Sequence, residues 1–159
     1  MTFGKIQIAA VAALVLVLGL GVWWMFRGGP SPSGSADASN TELVALGQQV
    51  YGKQCASCHG ANLEGEKDWR TRKPDGGLRA PPHDASGHTW HHPDGQLFQI
   101  TKLGGAAMAG PGFKSNMPAF KGTLTDRQIW AVLSYIKSRW PQHIRERHAQ
   151  MMKRVRSGR

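Results

Sequence analysis

The sequence predicts an all-α fold preceded by a transmembrane helix, and three observations predict it. Apolar residues in two segments recur at three- and four-residue spacing, the period of a helix with one buried face. Both segments carry helix-start and helix-stop signals. Near the amino terminus lies a continuous apolar run long enough to cross a bilayer. Alternating β-branched runs are few, and glycine- and proline-rich loop fills the remainder.

The apolar run is Ile6 to Phe26, 21 residues in which Gln7 is the sole strongly polar member. It matches about 30 Å of hydrocarbon. Trp23 and Trp24 stand near its end, where indole rings favour the membrane interface. A cleavable signal peptide is the rival, with Ala36-Asp37-Ala38 as its processing site. The run exceeds a signal peptide's usual apolar core, and bulky Trp-Trp-Met-Phe stands where small residues are expected. Residues 1–27 are therefore read as an uncleaved anchor. Residues 28–40, rich in Gly, Ser and Pro with one charge, read as a flexible linker. Residues 41–141 form one small domain and 142–159 a basic C-terminal tail.

Within the domain, Leu43, Leu46, Gly47, Val50 and Tyr51 predict an amphipathic helix over Thr41 to Gln54, capped by Asn40 or Thr41. A shorter helix is expected from Pro93, suited to a first helical position, to Leu103, with Gly104 as a left-handed cap. The last helix starts at Thr125, which forms a capping box with Gln128. It carries Ile129, Val132, Leu133 and Ile136 on its buried side and ends near Trp140-Pro141.

The run Cys55-Ala56-Ser57-Cys58-His59 carries the chemistry. Two thiols two residues apart, followed at once by histidine, are the attachment pattern of a c-type haem. Each thiol can form a thioether to one haem vinyl group, and His59 is then held beneath the iron. A thiol redox pair would want a βαβ context, and a zinc site more thiols than the two present. A covalently held apolar macrocycle also enlarges the core of a small domain. Such a haem is attached outside the cytoplasmic membrane, which orients the anchor with its amino terminus inside. The expected location is the periplasmic face of a bacterial inner membrane.

A second iron ligand decides between electron carriage and chemistry on a small molecule. Met117, in Asn116-Met117-Pro118, precedes the last helix. Its thioether is soft, favours ferrous iron and raises the reduction potential. Met108, in a run of small residues, is the competitor.

These residues resemble class I cytochromes c, mono-haem and His/Met-ligated, of the membrane-anchored bacterial type. The resemblance covers about Thr41 to Trp140. It implies a cytochrome c fold wrapped around one covalent haem c. In that family the first and last helices cross closely, and Gly47, Tyr51, Val132 and Tyr135 stand at the crossing positions. A glycine there lets two backbones approach. The resemblance further implies a proline carbonyl accepting the Nδ1–H of the ligating histidine, with Pro81 and Pro82 both candidates. Trp69, Arg70, Arg79 and Trp90 are candidate donors to the haem propionates.

His83, His88, His91 and His92 are not required by that family. Four imidazoles in ten residues suit copper or zinc, although Pro93 disfavours helix at His92. Loop-satisfying or solvated histidines are the plainer expectation. The net charge of +10 concentrates in the tail, where Arg145, Arg147, Lys153, Arg154, Arg156 and Arg159 face only Glu146. A basic carrier is steered toward acidic docking surfaces on redox proteins. Anionic lipid headgroups would attract the same charge. Compartment argues against nucleic acid as a partner. Lys53, Lys114 and Lys121 are candidates to ring the haem edge. By the resemblance, the donor is a quinol-oxidising complex or a dehydrogenase and the acceptor a terminal oxidase. No general base or nucleophile stands out, so the expectation is a carrier and not an enzyme. The alternatives are a haem enzyme or sensor for a gas or peroxide, and a redox partner in copper handling.

Overall fold

Helix α1 (Thr41–Gln54) forms where the sequence places it, because its start is capped and its apolar residues share one face. The Asn40 side chain accepts the Leu43 amide at 2.9 Å, and Leu43, Gly47, Val50 and Tyr51 are buried. Cys55 ends α1 and begins α2 (Ala56–His59), so both cysteines and the histidine sit on one continuous turn of backbone. Gly60, with φ +80°, then turns the chain away. The computed structural model describes residues 34–110 and 112–158. Among the described residues all regular structure is helical, apart from two isolated bridges, Leu78 with Ser115 and Lys121 with Leu124. None of these helices is long and apolar enough to cross a membrane, and the run Ile6 to Phe26 lies outside the described residues.

A long loop follows to a single 3-10 turn, Thr89–His91. Helix α3 (Asp94–Leu103) and the short α4 (Gly105–Met108) come next. Pro93 is the cap of α3 and not its first residue. Gly104 has the expected positive φ (+86°) but an extended ψ of 157°, outside the left-handed helical region. The extended geometry turns the chain straight into α4, where the Gly105 amide donates to the Met117 carbonyl at 3.3 Å.

Helix α5 (Asp126–Ser138) begins with the predicted capping box, Thr125 and Gln128 each bonding the other's backbone. It crosses α1 at close range. A Cβ built on Gly47 would overlap the Ala131 carbonyl oxygen and lie 2.9 Å from Tyr135 Cβ. Only glycine permits that approach. Tyr51 and Tyr135 meet beside it with ring centroids 5.4 Å apart. The core extends from this crossing through Leu97, Phe98, Ile129, Leu133, Ile136 and Trp140.

Both ends of the domain differ from the sequence expectation. The expected tail from residue 142 is helix α6 (Gln142–Arg156), which buries Ile144 and His148. Its His148 Nε2 donates to the His92 carbonyl at 3.2 Å and lies 3.4 Å from Asp94 Oδ1. Asp94 is also paired with Lys137 at 2.9 Å, and Lys137 donates to the Ala36 carbonyl at 2.8 Å. The end of the expected linker is packed too. Ala36 joins the core, and the Asp37 amide donates to Ser134 Oγ at 2.9 Å. One buried ionic cluster thus gathers residues 36–37, α3, α5 and α6.

Candidate haem site

Below the crossing of α1 and α5 lies a cavity of about 640 Å³, inside the range of small-molecule and cofactor sites. Cys55, Cys58 and His59 line one side, Met117 and Met108 also line it, and Leu97, Val132, Leu133 and Ile136 give it an apolar floor. Burial pushes the Cys55 thiol up to about 11. That is opposite to the lowered thiol of a redox-active Cys-x-x-Cys pair.

His59 is buried, and its Nδ1 lies 2.8 Å from the Pro81 carbonyl oxygen. A carbonyl only accepts, so Nδ1 carries the proton and Nε2 keeps the lone pair a metal requires. Burial lowers the His59 pKa, outweighing the Pro81 bond and the charge of Glu66. Of the two prolines, Pro81 therefore serves His59. Pro82 is fully buried, outside the cavity wall, and its carbonyl faces the Thr89 hydroxyl at 3.4 Å. The loop bearing them is tied down at Glu66, whose amide donates to the Ala80 carbonyl at 2.9 Å, and at Leu63, whose carbonyl accepts the His83 amide at 2.8 Å.

Met117 reaches the cavity from a strap laid on the end of α3. Its amide donates to Ser115 Oγ at 3.2 Å, and three and four residues on, the Phe120 and Lys121 amides donate to the carbonyls of Thr101 and Lys102 at 3.2 and 2.9 Å. Met117 is half-buried and packs against the core, whereas Met108 on α4 is 41 % exposed. The strap and the core contact make Met117 the better supported of the two thioethers.

Among the described residues two buried donors have no partner: Arg79 Nε and Trp90 Nε1. A buried donor left unpaired costs about 1–3 kcal/mol, so such groups point to an acceptor outside the polypeptide. Arg79 lines the cavity, as do Trp69 and Arg70, which stack on one another at 4.2 Å. An apolar chamber with thiols, an oriented imidazole, a thioether and the orphaned Arg79 donor fits a haem with two acidic side chains, whereas Trp90 lies outside its lining. Lys53, Lys114 and Lys121 are exposed but line none of it, and Lys114 reaches the Asp75 carbonyl at 3.1 Å.

Of the histidine stretch, His83, His88 and His92 line the cavity and His91 does not. His83 stacks on His59 with centroids 4.0 Å apart and bonds Thr89 Oγ1 at 2.7 Å. His88 stacks on Trp69 and meets His92 edge-on with centroids 5.3 Å apart, His91 lies tilted against Trp90, and His92 bonds Gln96. Among the described residues no three His, Cys, Asp or Glu side chains gather as metal ligands, so the copper-handling alternative gains nothing here. The His59–His83 stack is a contact that sequence reasoning missed. Its signal was the histidine following directly on the two prolines.

The cytochrome c family model matches residues 44–140. A thiosulfate dehydrogenase from Stutzerimonas stutzeri (strain A1501) is 31% identical over 111 residues, covering 69% of this chain. The chain spans 29% of that relative's length. No solved structure matches. With its attachment motif, matching family model and fitted chamber, the chain belongs to the cytochrome c family and carries covalent haem c at Cys55 and Cys58.

Proposed function

We propose that this protein is a membrane-tethered electron carrier, anchored by residues 6–26 with its haem domain on the periplasmic side of a bacterial inner membrane. Its haem iron is held by His59 and Met117. The observation that carries the proposal is the pairing of an oriented His59 with a strapped, half-buried Met117 in one apolar cavity. When bound, the haem supplies reversible one-electron exchange at its iron. The chain does the rest. Pro81 holds the imidazole proton, the strap holds the thioether, and the α5 floor excludes water. Arg79 offers a donor to a propionate. Partners are redox proteins with acidic docking faces, a quinol-oxidising complex or dehydrogenase as donor and a terminal oxidase as acceptor.

Carbon monoxide tests the ligand set. Added to the reduced protein it should leave the haem spectrum unchanged, and M117A should open the site to it. Ready binding by the wild type would sink the six-coordinate reading, and an M117A protein that stays closed would transfer the role to Met108. The thiosulfate dehydrogenase relative supports a second reading, in which the haem itself takes electrons from a small sulfur anion. Reduction of the purified ferric protein by thiosulfate alone would favour that reading over a carrier.

A further inference from the structure

We propose that His83 is a positioning residue for the iron-ligating imidazole, fixing the plane in which the His59 ring meets the metal. The inference rests on the haem-ligand reading above. The His59 ring makes one hydrogen bond, from Nδ1 to the Pro81 carbonyl at 2.8 Å. That bond restrains rotation about Cβ–Cγ, because Nδ1 lies off the axis, but a hydrogen bond tolerates some angular misalignment and does not lock the ring. The remaining rocking is stopped by a second plane. The His83 ring lies against the His59 ring with centroids 4.0 Å apart and planes 24° apart.

His83 is itself fixed from three directions. Its amide donates to the Leu63 carbonyl at 2.8 Å, and its carbonyl accepts Trp140 Nε1 at 2.8 Å. Its ring Nδ1 lies 2.7 Å from Thr89 Oγ1. The Thr89 hydroxyl, buried, faces the Pro82 carbonyl at 3.4 Å. That carbonyl only accepts, so the relay runs from His83 Nδ1–H to Thr89 and from Thr89 to Pro82, an assignment made from the network. Three consecutive residues thus divide the work: Pro81 aims the ligand, Pro82 anchors the relay, and His83 sets the plane.

A leucine would fill this wall with no polar atom to satisfy, and an imidazole is costly there without a partner. The site supplies that partner in Thr89. What the imidazole adds over leucine is a flat face matched to a flat ring. Groups that orient an axial histidine tune both the metal's electronic structure and its potential.

The test uses the full-length, haem-loaded protein and four forms: wild type, H83L, H83F and T89V. Haem content and the visible spectrum establish loading. Low-temperature electron paramagnetic resonance of the ferric state reads the ligand plane, and a redox titration reads the potential. H83L should shift the ferric g values and move the ferric/ferrous equilibrium several-fold, where tenfold corresponds to 59 mV for one electron. H83F keeps a flat ring and should return the g values toward wild type. T89V releases the ring from its relay and should broaden the g spread. Loaded H83L with wild-type g values and potential would overturn the proposal, since a mere filler leaves both untouched. Should H83L fail to load haem, T89V decides, and an unchanged T89V signal overturns it. A wild-type chain without His-ligated haem would overturn this proposal and the ligand reading together.

Discussion

Replacing Gly47 by alanine tests the crossing on which the site is built. The new methyl would overlap the Ala131 carbonyl oxygen and stand 2.5 Å from Ala131 C and 2.9 Å from Tyr135 Cβ, against 3.4–4 Å for ordinary contact. The obstacle is helix backbone, and Ala131 and Val132 are buried behind it, so neither side can give by a rotamer change. The helices must part by roughly 1 Å, an overpacking that typically costs 1–3 kcal/mol. Alanine gains back roughly 0.5–1 kcal/mol of helix propensity. The net expectation is a loss of about 1–2 kcal/mol, at about 4–8 °C per kcal/mol for a domain near one hundred residues. Gly52, on the same helix, has nothing within 4 Å of its would-be Cβ. G52A should therefore raise the melting temperature while G47A lowers it, followed by far-ultraviolet circular dichroism of the haem-loaded protein. A G47A protein melting at or above wild type would refute the close crossing.

Three other outcomes follow from the same packing. D94A removes the partner of Lys137, whose side chain is 14 % exposed, and should cost about 3 kcal/mol in denaturant unfolding, as breaking buried pairs does. Burial first, and then the Lys137 charge, lowers the His148 pKa below 6.5, against the raising effects of Asp94 and the His92 carbonyl. The unfolded chain then takes up this proton before the folded one, so stability falls as pH drops through 6.5 to the folded value and flattens below it. Titrating stability against pH in wild type and H148Q checks this, and an unchanged slope in H148Q counts against it. T125A removes the hydroxyl half of the α5 capping box, leaving the backbone amide at 125 bonded to Gln128 Oε1, and should cost about 1 kcal/mol by the same denaturant assay.

Legibility in the sequence followed the range of the interaction. The caps of α1 and α5 were readable because Asn40 bonds a residue three positions on and Thr125 and Gln128 bond each other. The attachment motif was readable because its three groups share one turn of backbone. Pro81 and Pro82 stood undivided, since the direction of a carbonyl depends on the loop's path and not on its letters. That path is set by ties from Leu63 and Glu66 to residues fourteen or more positions away. Helix α6 was missed for another reason. Only Ile144 and His148 are fully buried along its 15 residues, so its charge obscured its period. Residues 35–40 read as linker by composition, yet Ala36 and Asp37 are held by groups on α5 about one hundred positions away.

These long-range ties are what turn an attachment motif into a defined ligand geometry. His59 receives its aim from Pro81, and Pro81 is held by a loop with no regular structure of its own. That loop is clamped from outside by the link that follows α5, through Trp140 to the His83 carbonyl. The same wall is braced further along by α6, through His148 to the His92 carbonyl. The segment that looked like a solvated tail thus stands behind the histidine side of the cavity. The Met117 side is fixed separately, by amides laid on the carbonyls at the end of α3. Two independent braces converge on one cavity, and its apolar floor comes from the same α5 that Gly47 allows to approach. Loosening either brace should therefore alter the haem's ligands before it unfolds the domain.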